Sequence, residues 1–297
     1  VFFLPYYLRA RVYTMPEFLE KRYDNRSRYF FSGINVLANI IIDTAATLYA
    51  GALVINQLFP SVEFWQSILA LTILSGLYTI AGGLTAVVYT DTIQAILLII
   101  GSIIVTILAF LKIGSWEAVL EVTPKEHFSI VQPIDDPFLP WPGLISGVFL
   151  LGFYFWTNNQ FIAQRALAAK DIKHGQWGSV FCGFLKITTP LFIMIIPGTM
   201  ARVLYPNLEN ADLVYPTLLF DLLPVGILGL VIAGLIAAMM SSIDSALNSA
   251  STLVTMDFFS TLRPQTSSEG LMWVGRIVTG IFMILAAGWA YIVISQS

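Results

Sequence analysis

Charged residues are scarce in this chain. They make up 11% of its 297 residues, whereas soluble domains carry about a quarter. Cysteine and histidine are almost absent: the chain has one cysteine, Cys182, and two histidines, His127 and His174, both predicted in loops. One cysteine excludes a disulfide framework and CxxC chemistry, and its apolar context predicts a packing role. The net charge of −3, without a basic cluster, argues against nucleic-acid binding.

Apolar residues dominate the rest of the sequence. They form 57% of the chain, the mean hydropathy is +0.79, and apolar runs long enough to cross a bilayer recur. These features predict an all-α integral membrane protein with lipid around it. Seven spans are predicted, at 30–58, 63–82, 86–112, 142–163, 178–202, 217–255 and 271–294. The sixth is too long for one straight crossing, so we expect it to tilt or break.

The distribution of positive charge predicts the orientation in the membrane. Eleven of the 15 Lys and Arg residues precede the first predicted span or lie near the connections after the fourth and sixth spans. Three others, Lys112, Lys125 and Arg202, fall on the opposite side, which includes the long hydrophilic loop 113–141. We therefore expect the basic segment 9–28 to be cytoplasmic, in the plasma membrane or, for a bacterium, in the inner membrane.

Four ionisable residues fall within the predicted spans: Asp43, Asp91, Asp244 and Lys186. Charged side chains are costly at membrane depth, so each one indicates a possible ion or solute site. The structural alternative is that they pair with one another and hold helices together. Asp43 is the partner that we can name for Lys186, which lies too far inside its span to reach the interface.

The densest polar stretch is residues 237–257. On a helical wheel, one arc of about 120° carries Ser and Asn side chains, with Asp244 at its edge. The members of this arc are Ala238, Ser241, Ser242, Ser245, Asn248, Ser249 and Thr252. Such oxygens suit hard cations such as sodium. Close helix packing also favours small residues, but it does not explain Asp244.

Aromatic and amide side chains lie together near the end of the fourth predicted span. Rings stack on the apolar faces of sugars and amides bind their hydroxyls, so this segment is a candidate solute site. The alternative for Trp156 is an interfacial aromatic belt. The candidate contacts are Phe155, Trp156, Asn159 and Gln160, together with Lys186 and Asp43.

Four ordered motifs resemble the sodium/solute symporter family, most closely its sodium/glucose and bacterial sodium/galactose cotransporters. The motifs are GGLTAVVYTDTIQ, QRALAAKD, FCGFLKITTPLFIMIIPGTMARVLYP and GLIAAMMSSIDSALNSASTLVTMDFF. The resemblance implies a LeuT-type inverted-repeat bundle, of which this chain covers about core helices 3–9. Residues 1–297 are then one transmembrane transporter domain, truncated at both ends.

The resemblance also implies site residues. The main sodium site falls on Ala238, Ser241 and Ser242. A second cation or proton site maps to Asp91, Asp244 and Ser245, near Ser241. Since two acids would share this second site, their titrations would be coupled, and one acid could carry a proton.

The resemblance to the sugar site is partial. Lys186 and Trp156 match the family pattern, but Phe155 replaces a gating tyrosine and Gly152 replaces an asparagine. An acid at Asp43 disfavours anionic solutes. The implied function is sodium-coupled symport of a small polar solute, preferably a sugar or a polyol such as inositol, with sodium as coupling ion and no other cofactor.

Other readings remain open at this stage. The solute is alternatively proline, a short carboxylate or a nucleoside. A transporter-like sensor is a further alternative, and so is an intramembrane enzyme. The enzyme reading is disfavoured because the GxGD signature of aspartyl proteases is absent. A serine hydrolase would need a histidine at membrane depth.

Overall fold

Helices make up nearly all of the secondary structure. The computed structural model describes residues 2–208 and 210–296, with every helical side chain except those at 78, 81–86 and 294–296. In chain order the helices are α1 Leu4–Ala10, α2 Met15–Arg22, α3 Asn25–Leu58, α4 Phe64–Ile113, α5 Trp116–Val122, α6 Trp141–Thr157, α7 Gln160–Leu167, α8 Ile172–Leu204, α9 Val214–Leu222, α10 Val225–Leu262 and α11 Ser268–Gln296. Within these described ranges, β pairing is limited to one isolated bridge, Gln132 with Pro140.

Five helices of the described chain are long and apolar enough to cross a membrane. They are Asn25–Leu58, Val87–Ile113, Ile172–Leu204, Val225–Leu262 and Ser268–Val293. Two shorter apolar helices, Phe64–Leu77 and Trp141–Thr157, coincide with the remaining predicted spans. The spans predicted at 63–82 and 86–112 both fall within α4, and their separation stays a prediction. The chain is a multi-pass membrane protein.

The sixth predicted span is broken. Helix α9 ends at Leu222 and α10 begins at Val225, because Pro224 lacks the backbone N–H that a continuous helix needs. The loop at 113–141 also contains structure, namely α5 and a 3₁₀ turn at Lys125–Phe128. Cys182, for which packing was predicted, is exposed.

Side-chain caps fix where several helices begin. Asp24 accepts a hydrogen bond from the Ser27 amide at 2.8 Å, and Asp171 accepts one from the His174 amide at 2.8 Å. Each backbone donor lowers the pKa of its carboxyl group below the usual range. His174 therefore lies in the first turn of α8 and not in a loop, which corrects the sequence prediction.

Four helices contain a wider π turn. These turns lie at Asn39–Thr44 in α3, Leu144–Val148 in α6, Leu191–Ile195 in α8 and Val254–Phe259 in α10. A π turn accommodates an extra residue in an α-helix and is frequent at functional sites.

Two compact units share the chain. The first comprises Val1–Gln94, Thr157–Ser179 and Ile236–Ser297, and the second comprises Ala95–Trp156 and Val180–Leu235. In the first unit, α3, α4, α10 and α11 bury a common core that includes Leu48, Leu71, Leu247 and Ala286. In the second, α4, α8, α9 and α10 bury Val105, Met200, Leu218 and Val231.

A close helix contact in the second unit requires glycine. A Cβ placed on Gly101 would lie 2.5 Å from Val231 Cγ2 and 3.2 Å from Val231 Cβ. Valine is branched at Cβ and has few rotamers that would relieve such a clash. The α4 and α10 backbones therefore approach closely only because this side chain is absent.

We predict that Gly101→Ala destabilises the full-length protein. Overpacking of this kind costs about 1–3 kcal/mol, so the melting temperature in detergent should fall. Gly178→Ala is the matched control, because a Cβ there meets nothing within 4 Å and alanine favours a helix. Val231→Ala should restore part of the loss in Gly101→Ala. Equal melting temperatures for Gly101→Ala and Gly178→Ala would contradict this account.

Candidate ion-binding site

The predicted hydroxyl face lies on one continuous part of α10, Val225–Leu253. The Ser245 hydroxyl donates to the Ser241 carbonyl at 2.7 Å, and the Ser242 hydroxyl donates to the Ala238 carbonyl at 3.4 Å. Ala238, Ser241 and Ser242 are half-buried, while Ser245 is fully buried. The first three residues are thus accessible as oxygen ligands, and the sodium assignment to them stays a prediction.

Arg165 lies where the sequence predicted a second ion. Its Nη2 donates to Asp91 Oδ2 at 2.7 Å and also to Ser245 Oγ. The Arg165 side chain is 31% exposed and the Asp91 side chain 18%. One guanidinium therefore joins two of the residues assigned to the second site. Asp91 meets a cation that belongs to the protein itself.

Arg165 was not predicted as a site residue. It was counted only among the cytoplasmic charges, although it lies in the quoted motif QRALAAKD. Helix α7 directs the guanidinium toward α4 and α10, and Nη1 also donates to the Phe161 carbonyl at 3.1 Å. The available signal was an arginine directly after Gln164, in a motif already singled out.

Asp244 is fully buried in the first unit. Thr79 Oγ1, on α4, lies 2.7 Å from Asp244 Oδ1. In the described part of the chain, Oδ2 has no hydrogen-bond partner. Asp244, the third residue assigned to the second site, therefore bonds to Thr79. Within the described residues it bonds neither Arg165 nor Ser245.

A second buried carboxyl group on α10 was not identified from the sequence. Asp257 is fully buried and accepts hydrogen bonds from Thr14 at 2.7 Å, Ser32 at 2.6 Å and Arg28 Nε at 2.9 Å. Arg28 also donates to Glu20 at 2.7 Å. This network ties the start of α2 and the first turns of α3 to the π turn of α10.

Two predicted solute contacts make hydrogen bonds within the fold. The Asn159 side chain caps α7 by accepting from the Phe161 amide at 2.8 Å. Gln160 is fully buried, and its Oε1 accepts from the Met15 amide at 2.8 Å. Both side chains are buried and make these bonds in this conformation, and their role as solute contacts stays a prediction.

The other aromatic candidates belong to the second unit. Lys186 Nζ lies 5.7 Å from the centre of the Trp156 ring, within cation–π range. Phe155 packs edge-on against Trp156 with ring centres 5.3 Å apart. Lys186 is exposed and Trp156 is 46% exposed, so both can reach a solute. Asp43 belongs to the first unit, and its pairing with Lys186 stays a prediction.

These features define an α-helical membrane protein whose buried acids and hydroxyls lie along one broken span. The model of the sodium:solute symporter family matches residues 1–297, so the chain belongs to that family. The match confirms the resemblance of the four motifs.

Named relatives and a solved structure agree with this assignment. The chain is 36% identical to sodium/glucose cotransporter 4 of Danio rerio, over 97% of this chain and 49% of the relative. It is 35% identical to the sodium/myo-inositol cotransporter of Homo sapiens, over 99% and 47%. A substrate-bound, outward-open Na⁺-coupled sialic acid symporter superposes with a TM-score of 0.88 at 27% identity, over 99% of this chain and 64% of that one.

Two conclusions follow from the comparisons. The chain has the LeuT-type fold of its structural neighbour, as the sequence predicted, while the correspondence with core helices 3–9 stays a prediction. The chain also spans about half the length of the curated relatives that it matches.

We predict that Asp257→Asn strongly destabilises the full-length protein. The substitution removes the buried carboxylate that accepts from Thr14, Ser32 and Arg28 and leaves Arg28 with Glu20 as its acidic partner, and breaking a buried ion pair costs up to about 3–5 kcal/mol. Asp221→Asn is the matched control. Asp221 pairs with Lys112 at 2.6 Å, but both side chains are nearly half exposed, so its loss should cost less than about 1 kcal/mol. Similar melting temperatures for the two variants would contradict a structural role for Asp257.

Proposed function

We propose that the full-length protein is a sodium-coupled symporter of a small polar solute and is not an enzyme. Membership of the sodium:solute symporter family over residues 1–297 carries this proposal. The half-buried hydroxyls of Ser241 and Ser242 support it, because a hard cation favours oxygen ligands. Sodium would bind beside Ala238, Ser241 and Ser242 and favour the conformation that accepts solute, and alternating access would release both on the other side.

A sugar or a polyol such as inositol is the proposed solute. Named relatives include glucose, mannose and myo-inositol cotransporters. In this chain Trp156 offers exposed ring surface beside the Lys186 ammonium, and the half-buried Phe155 ring packs against Trp156. Rings stack on the apolar face of a sugar, and an ammonium donates to its hydroxyls. Proline, a short carboxylate or a nucleoside would use the same exposed cation and rings, and a solute panel distinguishes them.

The proposed location is the plasma membrane, or the inner membrane of a bacterium, with the basic segment 9–28 on the cytoplasmic side. Arg165 was one of the charges behind this orientation and is bonded to Asp91. Without Arg165, most of the other Lys and Arg residues still lie on the proposed cytoplasmic side.

The first test concerns sodium. In proteoliposomes containing the full-length protein, Ser241→Ala and Ser242→Ala should each raise the sodium concentration for half-maximal solute uptake, because each removes an oxygen ligand. Ser260→Ala is the control, since Ser260 lies outside the proposed site on the same helix and donates to the Met256 carbonyl. An unchanged sodium dependence in both site variants would remove the sodium assignment.

The second test concerns the solute. Lys186→Ala should weaken solute binding while leaving solute-free sodium binding in place. Losing one charge-assisted hydrogen bond costs about 1.5–3 kcal/mol, or roughly ten- to a hundredfold in affinity. Lys170→Ala removes an exposed positive charge outside the proposed site and serves as control. Intact solute affinity in Lys186→Ala would refute the role of Lys186.

A structural role for Lys186 predicts a different pattern. If Lys186 and Asp43 only neutralise each other, Lys186→Ala should lower the melting temperature and Asp43→Asn combined with it should restore stability. Solute affinity measured for the stable double variant would then equal that of the wild type.

A transporter-like sensor is the other alternative function. It would bind solute without sodium-driven uptake, so a flux measurement distinguishes a sensor from a symporter.

A further inference from the structure

A cavity of about 680 Å³ lies in the second unit, at the C-terminal end of α8. Its walls are the last turns of α8, the connection that follows, helix α9 and Val122 of α5. The volume falls within the range of about 300–1,000 Å³ that is usual for ligand pockets. None of the lining residues is one that we assign to sodium or to the solute, so the cavity is a candidate site for a different ligand.

Polar contacts fix α9 as one wall of the cavity. Asp221 on α9 accepts from Lys112 Nζ at 2.6 Å and from the Tyr205 hydroxyl at 2.5 Å. The Tyr215 hydroxyl, also on α9, lies 2.6 Å from Ser102 Oγ on α4. The same contacts occupy the hydroxyls of both lining tyrosines, so these phenols are already hydrogen-bonded.

The rest of the lining is mostly apolar and carries two charges. Arg202 lies in the last turn of α8, and Asp212 lies in the 3₁₀ turn that precedes α9. Both residues are exposed, and the ion pairs found within residues 2–208 and 210–296 include neither of them. The apolar members include Ile193, Met194, Pro197, Val214 and Leu218. The cavity therefore combines apolar walls with one available positive and one available negative charge.

This combination indicates the class of ligand. A hydroxyl-rich solute would leave its hydroxyls without partners against apolar side chains, which is costly. A purely anionic amphiphile would match Arg202 and leave Asp212 unmatched. A phospholipid with a primary ammonium group matches both charges, because a guanidinium binds phosphate oxygens and an ammonium donates to a carboxylate.

Helix α8 connects the cavity to the surface that a bilayer can cover. An 18-residue apolar stretch of its span, Ile172–Leu204, contains no buried residue. Met194 lines the cavity and is 68% exposed, and its neighbour Ile195 is 55% exposed. In the proposed orientation this end of α8 lies at the outer leaflet, so a lipid of that leaflet can place an acyl chain along α8 and into the cavity.

We propose that the cavity binds one phosphatidylethanolamine molecule from the outer leaflet. The phosphate lies against Arg202, the ammonium against Asp212, and an acyl chain against the apolar side chains of α8 and α9. This lipid site goes beyond the proposed symport function and does not rest on it.

Native mass spectrometry of the purified full-length protein tests the headgroup contacts. The wild type should retain phosphatidylethanolamine better than phosphatidylglycerol, which has no ammonium group. Arg202→Gln should weaken retention of both lipids about tenfold, because each loses a charge-assisted contact to phosphate. Lys125→Gln is the matched control, since Lys125 is an exposed cation of the same unit outside the cavity, and it should leave retention unchanged.

Asp212→Asn tests the ammonium contact separately. It should weaken retention of phosphatidylethanolamine alone and so remove the preference over phosphatidylglycerol. Equal retention of the two lipids by the wild type would overturn the proposal, and so would a preference that persists in Asp212→Asn.

Two glycines of α8 test the acyl-chain part of the site. A Cβ at Gly198 or at Gly183 meets nothing within 4 Å, but only Gly198 lines the cavity. Gly198→Leu should therefore fill the space and abolish both lipid retention and the rise in melting temperature that phosphatidylethanolamine gives the wild type. Gly183→Leu is the matched control and should keep both.

A different occupant would give a different result. If another segment of the full-length protein filled the cavity, Gly198→Leu would lower the melting temperature without lipid and leave lipid retention unchanged. That outcome would refute the lipid site.

Proteoliposome uptake separates this inference from the proposed function. Lipid retention and melting temperature are measured without solute flux. Specific retention without sodium-driven uptake would refute symport and leave the lipid site in place. Sodium-driven uptake with equal retention of both lipids would leave symport in place and refute the lipid site.

Discussion

A carboxyl group buried in a membrane protein needs compensation, and this constraint organises the polar interior of the chain. Three aspartates meet it in different ways. Asp91 binds the Arg165 guanidinium, and Asp257 combines the Arg28 guanidinium with two hydroxyl donors. Asp244 meets the Thr79 hydroxyl of α4 among the described residues. The packing of α2, α3, α4 and α7 around α10 follows from these bonds as much as from the apolar core.

The membrane class, most span positions and the hydroxyl face of α10 were predictable from sequence. Each depends on local periodicity, which is visible within about twenty consecutive residues. A tilt or a break in the sixth span was also expected, since a stretch of that length does not cross straight; the structure has a break, and Pro224 fixes its place. The family was recognisable because its motifs occur in order along the chain.

The partners of the charged residues were not predictable in the same way. Asp91 and Arg165 are separated by 74 residues, and Thr14 and Asp257 by 243. No local pattern identifies such pairs, because only the folded chain brings them together. Gln160 illustrates the same point. Its side-chain amide accepts from the backbone of Met15, and a sequence does not show which backbone group a side-chain amide will meet.

The π turn at Val254–Phe259 has a consequence for how α10 presents its side chains. It begins ten residues after Asp244, contains Asp257 and adds one residue to the helix, which changes the angular phase of the residues beyond it by about 100°. Asp244 faces Thr79 on α4, while Asp257 faces Thr14 and Ser32. A uniform helical wheel drawn through the whole span would therefore misplace the last turn, Ser260–Leu262. The π turn thus works as a change of register at the end of one helix, and the network around Asp257 is built on the turn itself.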